Sequence, residues 1–268
     1  MLDFPCFRLY HGVPQRTNPL SIKEFLILQM DYKPFPYVDF PENPRLSYRM
    51  SSEFSSADSA AFPIPEIVPV FPLPTVVFFP ETYLPLHIFE PRYREMVLDA
   101  SAQGHCIAMA LLKEGWEDPY DKVPPIYPIG CVGRIISSHK LTDGRFNIVL
   151  QGLQRCTFEE QAVSTPYRQA RIIPHSQRGT SSLDGETRIN LELVTRDYLT
   201  WKKAHELCQV IASGKLVDSI LVHNLSAGLD LSPVEKQFLL ESDNLIQQAR
   251  RLIDLIRFKL ADLRTAQG

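Results

Sequence analysis

The stretch Ile67-Val68-Pro69-Val70-Phe71-Pro72-Leu73-Pro74-Thr75-Val76-Val77-Phe78-Phe79-Pro80, continued by Leu84-Pro85-Leu86-His87-Ile88-Phe89-Glu90-Pro91, decides the fold. Its apolar runs have strand length, and prolines 72, 74, 80 and 85 remove amide donors between and within them. Such segments suit edge strands and the corners of a barrel, where a missing donor costs no ladder bond. Glu90 and Pro91 then predict a helix start, because proline fits the first helical position and a carboxylate is favoured at the positive end. Tyr93, Met96, Val97 and Ala100 fall on one face of that helix, and Gly104 ends it.

Downstream, Ile107 to Leu112, Gly130 to Leu141, Arg145 to Leu150 and Arg168 to Ile173 are β-branched or alternating runs that read as strands. Asp143-Gly144, between two of them, predicts a two-residue type I′ hairpin turn. Gly130 and Gly133 mark a bulge or tight bend where a Cβ would obstruct the neighbouring backbone. After a polar stretch at 176–185 the period becomes helical. Leu191, Val194, Tyr198, Trp201, His205 and Cys208 predict one long helix with a single stripe and a semi-buried His205. Leu216, Ile220 and His223 predict a shorter helix. Ser232-Pro233-Val234-Glu235 is a capping box, and Leu245, Ala249, Leu252, Ile256 and Leu263 stripe a final helix. The expected class is α+β: a β-barrel lobe over 62–175, then a helical-bundle lobe over 186–264, without the strand–helix alternation of a doubly wound sheet.

Upstream, the pattern weakens. Fifteen of the 22 prolines fall in residues 1–91. Asp31 to Pro44 carries Pro34, Pro36, Pro41 and Pro44 among aromatics, and Ser51 to Ala61 reads as a Ser/Ala/Asp linker. Residues 1–61 are expected to be an extension of low order, apart from an amphipathic stretch at Ser21 to Met30, and Met50 is an alternative start.

The 268 residues carry a net charge of −3, with 44% hydrophobic and 22% charged residues, which argues against a basic nucleic-acid binder and an acidic disordered tail. Residues 62–175 hold 10 basic and 12 acidic side chains, and 186–268 hold 11 of each. No apolar run approaches the ~20 residues of a membrane span, and the first thirty residues do not read as a signal peptide, so a cytoplasmic protein is expected. Cys6, Cys106, Cys131, Cys156 and Cys208 form no Cys-x-x-Cys pair, which favours reduced, structural thiols over a zinc or redox site. No phosphate loop, dinucleotide fingerprint, nucleophile elbow or His-Glu-x-x-His helix appears, so neither cofactor nor metal is expected. Ser137 and Lys140 have Ser-x-x-Lys spacing, but three positions along a strand put them on opposite faces. His87, amid apolar residues, reads as a hydrogen-bonded packing residue.

Residues 67–91 resemble the opening of the N-terminal substrate-recognition domain of Lon proteases: a Phe-Pro-Leu strand, a Val-x-Phe-Pro strand, then Leu-Pro-Leu with an aromatic and a Glu-Pro-Arg-Tyr helix start. Ile129-Gly130-Cys131-Val132-Gly133 is similar to the family's Val-Gly strand, Asp143-Gly144-Arg145 to its hairpin turn, and Gly152-Leu153-Gln154-Arg155 to its Gly-x-x-Arg segment. Glu235-Lys236-Gln237-Phe238-Leu239-Leu240-Glu241 is similar to its closing helical segment. The resemblance spans about 67–260. It implies a PUA-like barrel backed by helices, akin to stand-alone bacterial proteins of this type. The implied activity is non-catalytic binding of unfolded or hydrophobic polypeptide segments, for a separate protease or chaperone. Phe78, Phe79, Tyr83, Phe89 and Tyr93 are the candidate peptide contacts, with core packing the competing role for each. Arg155, expected after a glycine turn, suits anchoring of a loop carbonyl or carboxylate. The alternatives are an RNA-binding PUA-like module, disfavoured by the neutral charge balance, and a hydrolase built on Ser137 and Lys140 or a cysteine.

Overall fold

Six strands with one helix among them precede five further helices in a computed structural model that describes residues 63–117, 123–175, 182–212, 214 and 216–265. The expected extension over 1–61, including Ser21 to Met30, Cys6 and Met50, lies outside the described residues. The elements are β1 (Ile67–Leu73), β2 (Tyr83–Ile88), α1 (Pro91–Ala102), β3 (Cys106–Leu111), β4 (Ile129–Lys140), β5 (Phe146–Glu160) and β6 (Arg168–Pro174). They are followed by α2 (Gly185–Trp201), α3 (His205–Ala212), α4 (Asp218–Gly228), α5 (Pro233–Leu240) and α6 (Leu245–Thr265). This is a mixed α and β architecture.

The six strands form one sheet in the order β2-β5-β4-β3-β1-β6, and β6 also pairs with β5. The pairing therefore closes on itself through β5, β4, β3, β1 and β6. The 15-residue β5 makes closure possible: Phe146 to Gln151 pair with β2, and Cys156 to Glu160 pair with β6. β1 and β3 are parallel, joined through β2 and α1; the other pairs are antiparallel. β2 lies at the edge, so Pro85 costs no bond on its outer side, and Pro72 lies beyond the part of β1 paired with β6.

Val76 to Phe79, read as a strand, pairs with none: it crosses the sheet as an extended segment. Room for the crossing comes from glycines. A Cβ on Gly133 would stand 2.5 Å from Phe78 Cε1, and one on Gly152 2.1 Å from the Phe79 carbonyl oxygen. Gly152 is accordingly not a turn but part of the unbroken β5. The register shifts between Val132 and Gly133, as the glycines suggest, but the extra residue is Leu153 on the facing β5 rather than one on β4. The hairpin differs from a type I′ turn. Leu141 N donates to Arg145 O (2.8 Å), Gly144 N donates to Leu141 O (3.0 Å), and only Gly144 has positive φ (84°). A type I′ turn needs positive φ at Asp143 as well, so the connection is a three-residue loop closed by Gly144.

The single long helix is instead two, α2 and α3. Lys203 takes φ 58°, and Ala204 N reaches back to Leu199 O at 2.8 Å, a Schellman-type stop. The break ends the stripe at Trp201, and His205 is exposed. The capping box of α5 forms as read: Ser232 Oγ accepts from Glu235 N (3.2 Å), and Glu235 Oε2 accepts from Ser232 N (2.6 Å).

Strands and helices share a core. Leu191, Leu199, Leu221, Leu239, Leu252 and Ile256 form the helical cluster, which takes in Val77, Phe79 and Leu111 from the strand side. The faces of β1 feed two further clusters, Val68 and Val70 one, Phe71 and Leu73 the other. Polar ties reinforce the join: Arg155 Nη1 donates to Leu240 O (3.0 Å), and Gln237 Nε2 to Ile129 O (2.9 Å).

Candidate functional site

At the Leu73 end of β1, where β2 runs into α1, the fold leaves a cleft of about 600 Å³. Its floor is Phe71, Leu73, Leu86, Ile88 and Tyr93, all buried. Phe71 and Tyr93 pack with ring centroids 4.4 Å apart, and the Arg92 guanidinium covers the Tyr93 ring at 4.5 Å. Phe89 and Trp116 are half-buried walls, whereas Val123 and Val163 at the mouth are 62% and 39% exposed. The two exposed valines thus stand beside a concave apolar surface rather than inside the core.

The polar groups around the cleft are occupied by one another. Arg92 pairs with Glu90 at 2.8 Å. Arg168 bonds Glu160 (3.1 Å) and the Pro124 carbonyl, joining the β5–β6 loop to the segment opposite. His87 Nδ1 lies 2.7 Å from Asn147 Oδ1, and its Nε2 is 3.2 Å from Arg145 Nη1, the packing role expected of it. Tyr167 Oη donates to Asp99 Oδ2 at 2.5 Å; burial and that carboxylate push the phenol up to about 12. This arrangement offers apolar surface with a fixed, internally neutralised rim.

Of the five candidate contacts, Phe89 and Tyr93 line this cleft. Phe78 and Phe79 are buried, Phe78 beside Gly133 and Phe79 within the helical cluster. Tyr83, half-buried on β2 opposite Gln151, has its phenol raised by burial. Sequence reading missed Trp116, Val123, Val163 and Tyr167, which lie outside any periodic run. A second groove, beside the ends of α2 and α6 at Trp201 and Leu260, holds none of the candidates.

Nucleophilic chemistry finds no support in the same geometry. Ser137 and Lys140 sit on the exposed end of β4, opposite Val149 and Phe146, three apart on a regular run of strand. Burial pushes the Cys106 thiol up to about 11 and Cys156 to about 12, and raises Cys131 well above the usual thiol range. Thiols held protonated in this way are poor nucleophiles. Among the described residues, no three His, Cys, Asp or Glu side chains gather as a metal site, and no helix is long and apolar enough to cross a membrane.

Comparison with known proteins matches residues 67–257 to the model of the ATP-dependent protease La (LON) substrate-binding domain. Lon protease 2 of Myxococcus xanthus is 29% identical over 207 residues, covering 73% of this chain and 24% of the relative. The Lon protease of Flavobacterium johnsoniae is 27% identical over 209 residues, covering 75% and 25%. The chain thus spans about a quarter of the length of these curated relatives. Among solved structures, the N-terminal domain of a Mycobacterium avium complex Lon protease aligns with TM-score 0.56 at 17% identity, covering 71% of this chain and 98% of that one. A Lon N-terminal domain protein from Xanthomonas campestris aligns with TM-score 0.54 at 20% identity, covering 70% and 97%. Since the family model takes in the whole six-stranded sheet and the helices that follow it up to residue 257, the chain belongs to the LON substrate-binding domain family.

Proposed function

We propose that residues 62–264 act as one non-catalytic recognition domain, a PUA-like barrel backed by helices, whose cleft captures short apolar segments of unfolded polypeptides. The observation that carries this reading is the apolar floor under exposed Val123 and Val163, ringed by polar groups already paired with one another. Binding would draw on apolar area removed from water, at about 25 cal/mol per Å², with few fixed polar contacts. Phe89 and Tyr93 would touch the client, while Phe78 and Phe79 would serve core packing and Tyr83 the edge strand. We place the domain in the cytoplasm, ahead of a separate protease or chaperone. The paired arginines at the rim leave no observation favouring RNA.

The test is binding of a labelled, carboxymethylated unfolded polypeptide to the full chain, followed by fluorescence anisotropy. Saturable binding is expected, weakened at least tenfold by Val163→Asp. Absence of saturation, or equal affinity in the variant, would overturn the reading.

A further inference from the structure

The cleft's lining has a character beyond mere apolarity. Phe71, Phe89, Tyr93, Trp116 and Tyr167 give it five aromatic rings. Aromatic-lined grooves are the surfaces on which proline-rich segments dock, because polyproline II presents flat, preordered apolar edges and loses little entropy on binding. The chain itself supplies such a segment. Asp31-Tyr32-Lys33-Pro34-Phe35-Pro36-Tyr37-Val38-Asp39-Phe40-Pro41-Glu42-Asn43-Pro44 holds four prolines and four aromatics, and Pro41 and Pro44 are one polyproline turn apart.

The tether has the right length. β1 begins at Ile67, beside the Glu66–Arg171 ion pair, and the cleft opens at its other end, past Leu73. That path is about 20 Å along the strand. A flexible chain of roughly 19 residues, the number separating Pro44 from Pro63 in sequence, would span about 24 Å on average. A tether matched to its span holds the segment near the groove at effective concentrations on the order of millimolar.

We propose that Asp31 to Pro44 docks in the aromatic cleft of its own chain and competes with clients for it, so that the protein carries its own competitive occupant. The proposal rests on the cleft being the client site.

Two measurements on the full chain test it. A photo-reactive benzoylphenylalanine at Val163, irradiated in dilute solution, is expected to crosslink to residues 31–44 of the same chain. Crosslinks only between two chains, or only to other segments, would overturn the proposal. In parallel, the variant with Pro34, Pro36, Pro41 and Pro44 all changed to Ala is expected to bind the labelled unfolded polypeptide about tenfold more tightly than the native chain. Equal binding by both sinks self-occupancy and leaves the client site standing, whereas no binding by either removes the client site and this proposal with it.

Discussion

Glu81 Oε2 lies 3.1 Å from His223 Nδ1, a contact that joins the turn before β2 to α4 across 142 residues of sequence. The turn is held in a left-handed conformation, with Glu81 at φ 57°, its amide donating to Gly152 O at 2.9 Å. A non-glycine residue keeps that conformation only where its surroundings determine it, and the buried imidazole is part of those surroundings.

This pair makes stability sensitive to acid. Burial alone would raise the Glu81 carboxyl, but hydrogen bonds with His223 and Ser219, with the charge of His223, outweigh it and leave the group below the usual carboxylate range. A carboxyl lowered by folding adds stability above its unfolded pKa, and the gain disappears as pH falls through the folded value. Glu81→Gln is expected to cost about 1 kcal/mol near pH 7, since the exposed half of the side chain is screened by solvent. Urea titrations from pH 7 to pH 2 should show the gap to the native protein closing below about pH 4.

Gly152→Ala and Gly185→Ala form a matched pair. A methyl on Gly152 meets the Phe79 backbone at 2.1 Å, where nothing flexible can yield, whereas a methyl at Gly185 meets nothing within 4 Å. The first substitution is expected to cost on the order of 3 kcal/mol. The second, in the first turn of α2, should be neutral or stabilise by about 0.5 kcal/mol. Thermal unfolding compares them directly.

The same position shows where sequence reading stops. The strands at Ile67–Leu73 and Tyr83–Ile88, the Pro91 helix start and the Ser232–Glu235 capping box are local devices, and each forms where its residues announce it, whereas Val76 to Phe79 forms no strand. Gly152 looked like a turn because the segment that demands it, Phe79, lies 73 positions earlier. Lys203 ends α2 without the glycine or proline that normally signals a stop. The cleft was half legible. Phe89 lies in the quoted stretch and Tyr93 on the helix face read just after it, but Trp116, Val123 and Val163 reach it from loops that only sheet closure brings together.

Arg155 exemplifies a residue whose role was readable although its setting was not. From within β5, not after a turn, its guanidinium donates to Leu240 O at 3.0 Å and Asp243 O at 3.5 Å, closing the carbonyl end of α5. Arg155→Ala is expected to destabilise by about 1–2 kcal/mol, because the part-buried Leu240 carbonyl and the exposed Asp243 carbonyl lose a charged donor. Arg155→Lys should recover less than half, since one ammonium does not reproduce the fork. Chemical denaturation of the three proteins gives the order.

Tyr167 should announce itself in alkali. With its phenol near 12, it ionises after exposed tyrosines, and folding loses its support as pH rises from about 10 to 12. In Tyr167→Phe the late phenolate absorbance should fall by one tyrosine, leaving that of Tyr198, whose phenol burial also pushes up to about 12. The variant should start about 1 kcal/mol less stable at pH 7 and lose less between pH 10 and pH 12.

Phe79 and Phe89 separate core packing from client contact. Phe79 is fully buried in the cluster that joins strands to helices, so Phe79→Ala removes a large side chain from a site with no room to collapse. It is expected to cost about 3–5 kcal/mol and to abolish binding only by unfolding the protein. Phe89, half-buried on the cleft wall with its ring centroid 6.2 Å from that of His87, has less to lose from truncation. Phe89→Ala should shift stability by about 1 kcal/mol or less while weakening capture of the unfolded polypeptide severalfold, because its exposed half is the part a client would cover. Anisotropy titrations on samples shown to be folded by circular dichroism make the comparison; unchanged affinity in Phe89→Ala would move the client away from this wall.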